Sequence, residues 1–396
     1  MLTKHAYEKG NKMDFSLTDE QELLIESINE FVSRNFTEEK IAEWYAAGNV
    51  PDELTREYLD AGFGFMGLPE EYGGVPCDKL TLGIMTEALF RATGCVTPFT
   101  SNTLAMSDIV EFGNEDQIRT CLDSYKENGK PIFSLAISEP GAGSDNMSMT
   151  CVTKKQADGT YILSGTKTWV TMGEHYPMVL VVAKDEDPSR ENNQMSMWLF
   201  SKDLAGVSTA PLHKIGQTIT PFCEMYFDDV VVTEDMRVGA PGSGFMNLMK
   251  NFEMERSLMA AQSIGLAQAA MDDAAAYASE RVCFNKPISS FQMIQMKLTD
   301  METVLQNARN MLYKTLWKMD NGMSVQIDSA LLKRYAGMNC TWVASEALQI
   351  FAGLGYTTET RVGRIWEDCR GNELGGGTDE IMVYIAGRQL AKKYKK

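Results

Sequence analysis

Glu255 stands in a stretch, Asn251-Phe252-Glu253-Met254-Glu255-Arg256-Ser257-Leu258-Met259, whose helical period leaves little room for a charge. Phe245, Leu248, Met249, Phe252, Met259 and Ile264 fall near one apolar stripe, with Glu255 three residues past Phe252 and four before Met259. A carboxylate on a buried face is costly. Two arrangements answer that cost. Either a base, Arg256 or a more distant one, holds the acid ionised, or the acid is kept partly protonated for proton transfer. Neighbours at i and i+1 do not face one another on a helix, so Arg256 is better placed to meet a substrate or an opposite helix than Glu255.

Other stretches carry residues of the right type for a ligand. Ser138-Glu139-Pro140-Gly141-Ala142-Gly143-Ser144-Asp145 joins two glycines, which permit close backbone approach, to hydroxyls and N–H groups suited to a phosphate or a flavin edge. A tight loop capped by Ser and Asp is the plain alternative. In Lys167-Thr168-Trp169-Val170-Thr171 a strand's period of two puts a large aromatic and a hydroxyl on one side, where the indole either covers a planar ring or fills a core. Arg281-Val282-Cys283-Phe284, followed by Gln292, lies between two long helices, where an Arg reaches a pyrophosphate or simply solvent. Gln349 to Gly355 ends a helix on glycines. Gly375-Gly376-Gly377-Thr378-Asp379-Glu380 sets three glycines before a helix whose first turn is acidic, a pattern suited both to the helix dipole and to close contact with a ligand.

The elements that must hold these residues fall into three blocks. Thr18-Asp19-Glu20-Gln21 has capping-box spacing and opens a helix; further helical patterns follow near 52–62, 78–91, 103–111 and 115–127, with no strand before about 131. The period then alternates near 131–138, 149–155, 160–164, 167–171, 178–184, 196–201 and 222–232, with Asp158-Gly159 as a hairpin signal, which predicts an antiparallel β domain. Long helical patterns return at 242–279, 288–317, 324–352 and 378–394. The reading is therefore α+β: a polar tail at 1–12, a helical domain at 13–130, a β domain at 131–240 and a helical bundle at 241–396.

Composition narrows the function. A net charge of −17 over 396 residues argues against nucleic acid or an anionic membrane surface as partner. No apolar run approaches the roughly 20 residues of a membrane span, and the first residues lack a signal-peptide order, so a cytoplasmic protein is expected. The eight cysteines are spread singly and there are three histidines, which predicts free thiols and no metal site.

Taken together and in this order, the motifs resemble those of the acyl-CoA dehydrogenase family from Met13 to the C-terminus. The resemblance implies an N-terminal helical domain, a middle β domain and a C-terminal four-helix bundle, assembled as a homotetramer with FAD between subunits. It implies that Ile137, Ser138, Gly143, Ser144, Trp169, Val170 and Thr171 hold the flavin and pyrophosphate. Arg281, Phe284 and Gln292 would reach the FAD of a neighbouring subunit, Gln349 and Gly353 would approach from across the dimer, and Thr378 and Glu380 would touch it again. Acyl-CoA or enoyl-CoA would lie along Ser144, Phe252, Arg256, Gly376 and Gly377.

The chemistry implied is removal of an α proton by a base as the β hydrogen leaves as hydride, with electrons exchanged with an electron-transfer flavoprotein. Most members carry the base at the position of Gly376, whereas a minority supply it from the bundle helix, at the position of Glu255. Asn285 stands where the family usually has Gly, and Glu367 where Arg is common, departures that bear on local turns. The combination of Gly376 with Glu255, Gly377-Thr378-Asp379-Glu380 and Phe252-Glu253-Met254-Glu255-Arg256 is similar to the crotonobetainyl-CoA reductase branch, which leaves the direction of the reaction open. A flavin oxidase or monooxygenase acting on a non-CoA substrate, and a non-catalytic flavoprotein assembly partner, are the alternatives. Glycine at 376 is expected to make room for a branched, aromatic or polar acyl group.

Overall fold

The computed structural model describes residues 16–128, 133–186 and 194–395. The tail expected at 1–12 lies outside the described residues. The N-terminal part is helical: α1 (Asp19–Asn35), α2 (Glu38–Ala47), α3 (Asp52–Asp60), α4 (Lys79–Thr93), α5 (Phe99–Phe112) and α6 (Glu115–Asn128). The capping box is present, with Thr18 Oγ1 accepting from Gln21 N at 3.2 Å and Gln21 Oε1 accepting from Thr18 N at 3.1 Å. Only Ile41 and Trp44 of α2 are buried, too sparse a stripe to be read from the sequence.

The middle part is a sheet of β1 (Phe133–Ala136), β2 (Val152–Lys155), β3 (Tyr161–Thr171), β4 (Met178–Glu186), β5 (Met195–Ser201), β6 (Val207–Leu212), β7 (Phe222–Val232) and β8 (Arg237–Val238). Its order is β6-β7-β3-β2-β4-β5-β8, with β1 also on β4. The sheet is mixed, which corrects the antiparallel expectation: β1 and β2 both run parallel to β4. Alternation identifies a strand but carries no direction, and the β2–β3 hairpin lies between β1 and β4 in the chain, long enough to let them meet in parallel. The segments read at 160–164 and 167–171 are one strand, β3, with register shifts at Leu163/Gly165 and Lys167/Val170.

The C-terminal part begins with α7 (Gly244–Glu280), followed by the small hairpin β9 (Val282–Cys283) and β10 (Lys286–Pro287), then α8 (Gln292–Asp320), α9 (Gln326–Phe351), α10 (Val362–Asn372) and α11 (Asp379–Lys393). α10 carries Gly363 and Gly371, which hid it inside a stretch that reads as a break. α7 is wrapped by α4, α8, α9 and α10. Its small residues Ala260, Ala261, Ala267, Ala270, Ala274 and Ala278 are fully or almost fully buried, which lets the neighbouring helices come close. A Cβ on Gly265 would lie 2.4 Å from the Glu87 carbonyl, so α4 and α7 cross nearly backbone to backbone. That contact seats the N-terminal helices against the bundle within three turns of Glu255.

Candidate active site

Glu255 sits half-buried on α7, and the glycine loop between α10 and α11 faces it. A Cβ on Gly376 would lie 3.7 Å from Glu255 Oε1. Burial raises the Glu255 carboxyl above its ordinary value, against the opposing charges of Arg256 and Lys333. Gly376 and Gly377 take φ of 63° and 93°, where a Cβ is strained, so the turn requires glycine. Among the described residues the Gly376 N–H donates to no other group, which leaves it free to meet an oxygen. The space beside Gly376 is filled by this chain's own side chain: Met259 Sδ lies 2.5 Å from where that Cβ would be. The room expected beside Gly376 is thus shared with a methionine that α7 brings to it.

Arg256 is buried, its guanidinium 5.5 Å from the centre of the Phe252 ring one turn earlier. Its Nε has no hydrogen-bond partner among the described residues. A buried donor left unpaired costs roughly 1–3 kcal/mol, which a polar ligand would relieve. Thr378 caps α11, its Oγ1 accepting from Ile381 N at 3.3 Å, and Glu380 lies exposed in the same first turn.

The Ser138–Ser144 loop is braced from below. Lys167, fully buried, donates to the Ile137 carbonyl at 2.8 Å and to Glu139 Oε1 at 2.9 Å. Glu139 also accepts from Thr150 N, Thr150 Oγ1 and Cys151 N, and Thr168 N donates to the Ser138 carbonyl at 2.9 Å. Above this brace Gly141 and Gly143 have nothing within 4 Å of a built Cβ, and Ser144 is exposed. Trp169 adopts φ of 59° at a register shift and leaves its indole 59% exposed, an unusual outlet for a large aromatic. Val170 turns its side chain into the β core, so in this triplet only Trp169 and Thr171 offer side chains outward. An exposed indole beside an open glycine loop fits a planar ring carrying a phosphate chain.

The remaining residues are not brought to this place. Arg281 lies about 39 Å along α7 from Glu255 at 1.5 Å per residue. Tyr277 stacks on Phe351 at 4.4 Å, which puts the end of α9, with Gln349 and Gly353, at that same far end. Phe284 is 89% exposed, and Arg281, Gln292, Gln349 and Gly353 are also exposed. Phe284 and Asn285 both have positive φ, at 51° and 61°, the paired geometry of a two-residue hairpin turn. Asn tolerates that conformation, so the turn forms without the family's glycine.

Sequence reasoning missed two groups near Glu255. Asp108 on α5 is buried and accepts from the Asn251 side chain; burial chiefly, and more weakly the charge of Glu255, push it up to about 7. Lys333 on α9 is 1% exposed. Its signal was available: a lysine among Ala330, Leu332, Ala336 and Cys340, all buried, is the same misplaced charge that drew attention to Glu255.

Models of the acyl-CoA dehydrogenase N-terminal, middle and C-terminal domains match residues 18–126, 134–230 and 242–391. The chain belongs to the acyl-CoA dehydrogenase family. It is 43% identical over 385 residues to the probable acyl-CoA dehydrogenase YdiO of Escherichia coli K12, covering 97% of this chain and 100% of that one. Butyryl-CoA dehydrogenase from Megasphaera elsdenii superposes with a TM-score of 0.88 at 30% identity, over 96% of this chain and 100% of the other. A chain from a structure of the electron transferring flavoprotein of Acidaminococcus fermentans, concerned with flavin-based electron bifurcation, gives a TM-score of 0.88 at 28% identity over 96% and 99%. An acyl-CoA dehydrogenase is an oxidoreductase acting on CH–CH bonds, and membership of the family implies a flavin.

Proposed function

We propose that this acyl-CoA dehydrogenase interconverts an acyl-CoA thioester and its α,β-enoyl-CoA, with FAD as cofactor and Glu255 as the base. The observation that carries the reading is the 3.7 Å between Glu255 Oε1 and the Cβ position of Gly376, because an acid on α7 then stands where a residue-376 acid would reach. A thioester carbonyl acidifies its α C–H only weakly, so the base must be strong. Desolvation of Glu255 makes it so. In this reading the free Gly376 N–H receives the thioester oxygen and stabilises the charge that develops there, while Arg256 holds a polar part of the substrate. Bound FAD would supply the acceptor for the β hydrogen. Trp169, Thr171, Ser138 and Ser144 would hold its ring and phosphates.

The far end of the bundle supports assembly of copies of this chain. Arg281, Phe284, Gln292, Gln349 and Gly353 lie too far from Trp169's end of α7 to serve the same cofactor within one chain, so we assign them to the FAD of a neighbour in a homotetramer. Exposed apolar side chains on α8, α9 and α11, among them Met293, Met296, Trp342 and Tyr384, suit such interfaces. Electron exchange with an electron-transfer flavoprotein completes the proposal.

The test is an anaerobic screen of acyl-CoA and enoyl-CoA thioesters against the purified holoprotein, following flavin absorbance in both directions. Bleaching by one thioester in the wild type, lost in E255Q with FAD retained, is the expected result. Wild-type turnover in E255Q would remove Glu255 from the reaction, and rapid reoxidation by O₂ during turnover would point to an oxidase.

A further inference from the structure

Three consecutive glycines are a poor platform for a catalytic N–H, since glycine has the most backbone freedom to lose. The loop at 375–377 is nevertheless held in one geometry. Its N-terminal edge is tied by Leu374 N and Gly375 N, each donating to the Gly371 carbonyl at 3.1 Å. Across the turn Asp379 N donates to the Glu373 carbonyl at 3.2 Å, and a further hold comes from a different helix. Lys333 Nζ donates to the Gly377 carbonyl at 2.6 Å and to the Glu373 carbonyl at 3.0 Å, with Asp379 Oδ1 at 3.6 Å. A single buried ammonium thus bridges the two ends of the turn that carries Gly376. It also binds the Glu373 carbonyl at the C-cap of α10, where a helix concentrates partial negative charge.

We propose that Lys333 is a positioning residue for the reaction: by pinning the carbonyls of Glu373 and Gly377 it aims the Gly376 N–H at the thioester oxygen opposite Glu255. This rests on Glu255 being the base and Gly376 N–H the oxygen's partner. Thr378 and Gly371 already satisfy backbone groups on either side of this turn, and an apolar side chain would fill the same core at less cost. Its ammonium does two things an apolar side chain cannot. It fixes a peptide orientation, and it adds a positive charge near the base. The charged groups around this centre are Arg256 and Glu253 on α7, Asp108 on α5, Arg334 on α9, Glu373 at the end of α10, and Asp379 and Glu380 on α11.

The experiment uses K333M, K333R and D379N holoenzymes with a thioester that bleaches the wild-type flavin, recording kcat, KM and the pH profile of kcat/KM. For K333M the expectation is a fall in kcat of about 100-fold with a smaller change in KM, since a misplaced catalytic group costs on that order. Its acid limb should move to higher pH, because Glu255 loses a positive neighbour. D379N should move the limb the other way, the ammonium then being less neutralised. K333R, which keeps charge and donors, should recover part of kcat. A K333M that melts lower but keeps the wild-type kcat and acid limb makes Lys333 merely structural and overturns the proposal. Should K333M not fold, an unmoved acid limb in D379N overturns it equally. A wild type that no thioester bleaches overturns the proposed function and this inference together, whereas loss of bleaching in E255Q with indifferent Lys333 variants sinks the inference alone.

Discussion

The two ends of α7 are built on opposite principles. At the Glu255 end, acids and bases are withdrawn from water, Lys333 pins a glycine turn, and Met259 fills the space beside it. At the Arg281 end the hairpin residues stand in solvent and Phe284 is almost wholly exposed. One end is enclosed by its own helices, and the other displays side chains mostly to solvent, Phe284 touching only the edge of Phe291 among the described aromatic rings. The difference teaches that burial, not residue type, separates the chemistry expected of each: the buried end shifts protonation equilibria, while the exposed end can only present groups to something that arrives.

The largest test of that contrast is E255Q. Removing a positioned base should lower turnover by roughly 10³-fold, with FAD content unchanged in the absorbance spectrum. Next comes G376E. Its Cβ meets Met259 Sδ, its backbone must hold a φ of 63° that a side chain strains, and it brings a second carboxylate beside Glu255. Turnover should fall about 100-fold, and M259A placed on G376E should recover some of it; no recovery would mean that the filled volume is not the cause.

At the other end R281A should weaken FAD retention roughly 10-fold, read by dialysis and fluorescence, and leave the acid limb of kcat/KM in place. A shifted limb would show that the two ends are not independent. That limb itself should lie above the ordinary glutamate value, with rate rising with pH as Glu255 loses its proton.

A smaller effect is expected on stability. Asp108 titrates near 7 when folded and near 3.8 when unfolded, so its neutral form is favoured by folding and stability is lost as pH rises from 3.8 through about 7. The size is on the order of 1–4 kcal/mol, and D108N should lose less melting temperature than the wild type between pH 5 and pH 8. The smallest effect is N285G, which keeps a turn that Asn already tolerates and should change stability by less than about 0.5 kcal/mol.

The sequence was most legible where one pattern had one meaning. The capping box at Thr18, the Asp158-Gly159 hairpin and the long helices appear where their spacing puts them. Glu255 was visible because a charge interrupts an apolar stripe, and Lys333 carried the same mark on the buried face of α9, less conspicuous because Arg334, on the exposed face, stands next to it. Strand direction, the helix at 362–372 and the short strand β6 were not legible, since partners and not local period decide them.

By itself, then, the sequence determined the family, through motifs in its order, together with the succession of helices, sheet and bundle, and it singled out Glu255 as the proposed base, because these rest on residue types and their order along the chain. Tertiary structure alone decided what surrounds that acid. The nearness of Glu255 to Gly376, the methionine beside it, Asp108 across from it and the lysine under the turn join residues that lie far apart in the chain. Desolvation and hydrogen-bond geometry depend on those three-dimensional neighbours, and no spacing along the chain encodes them.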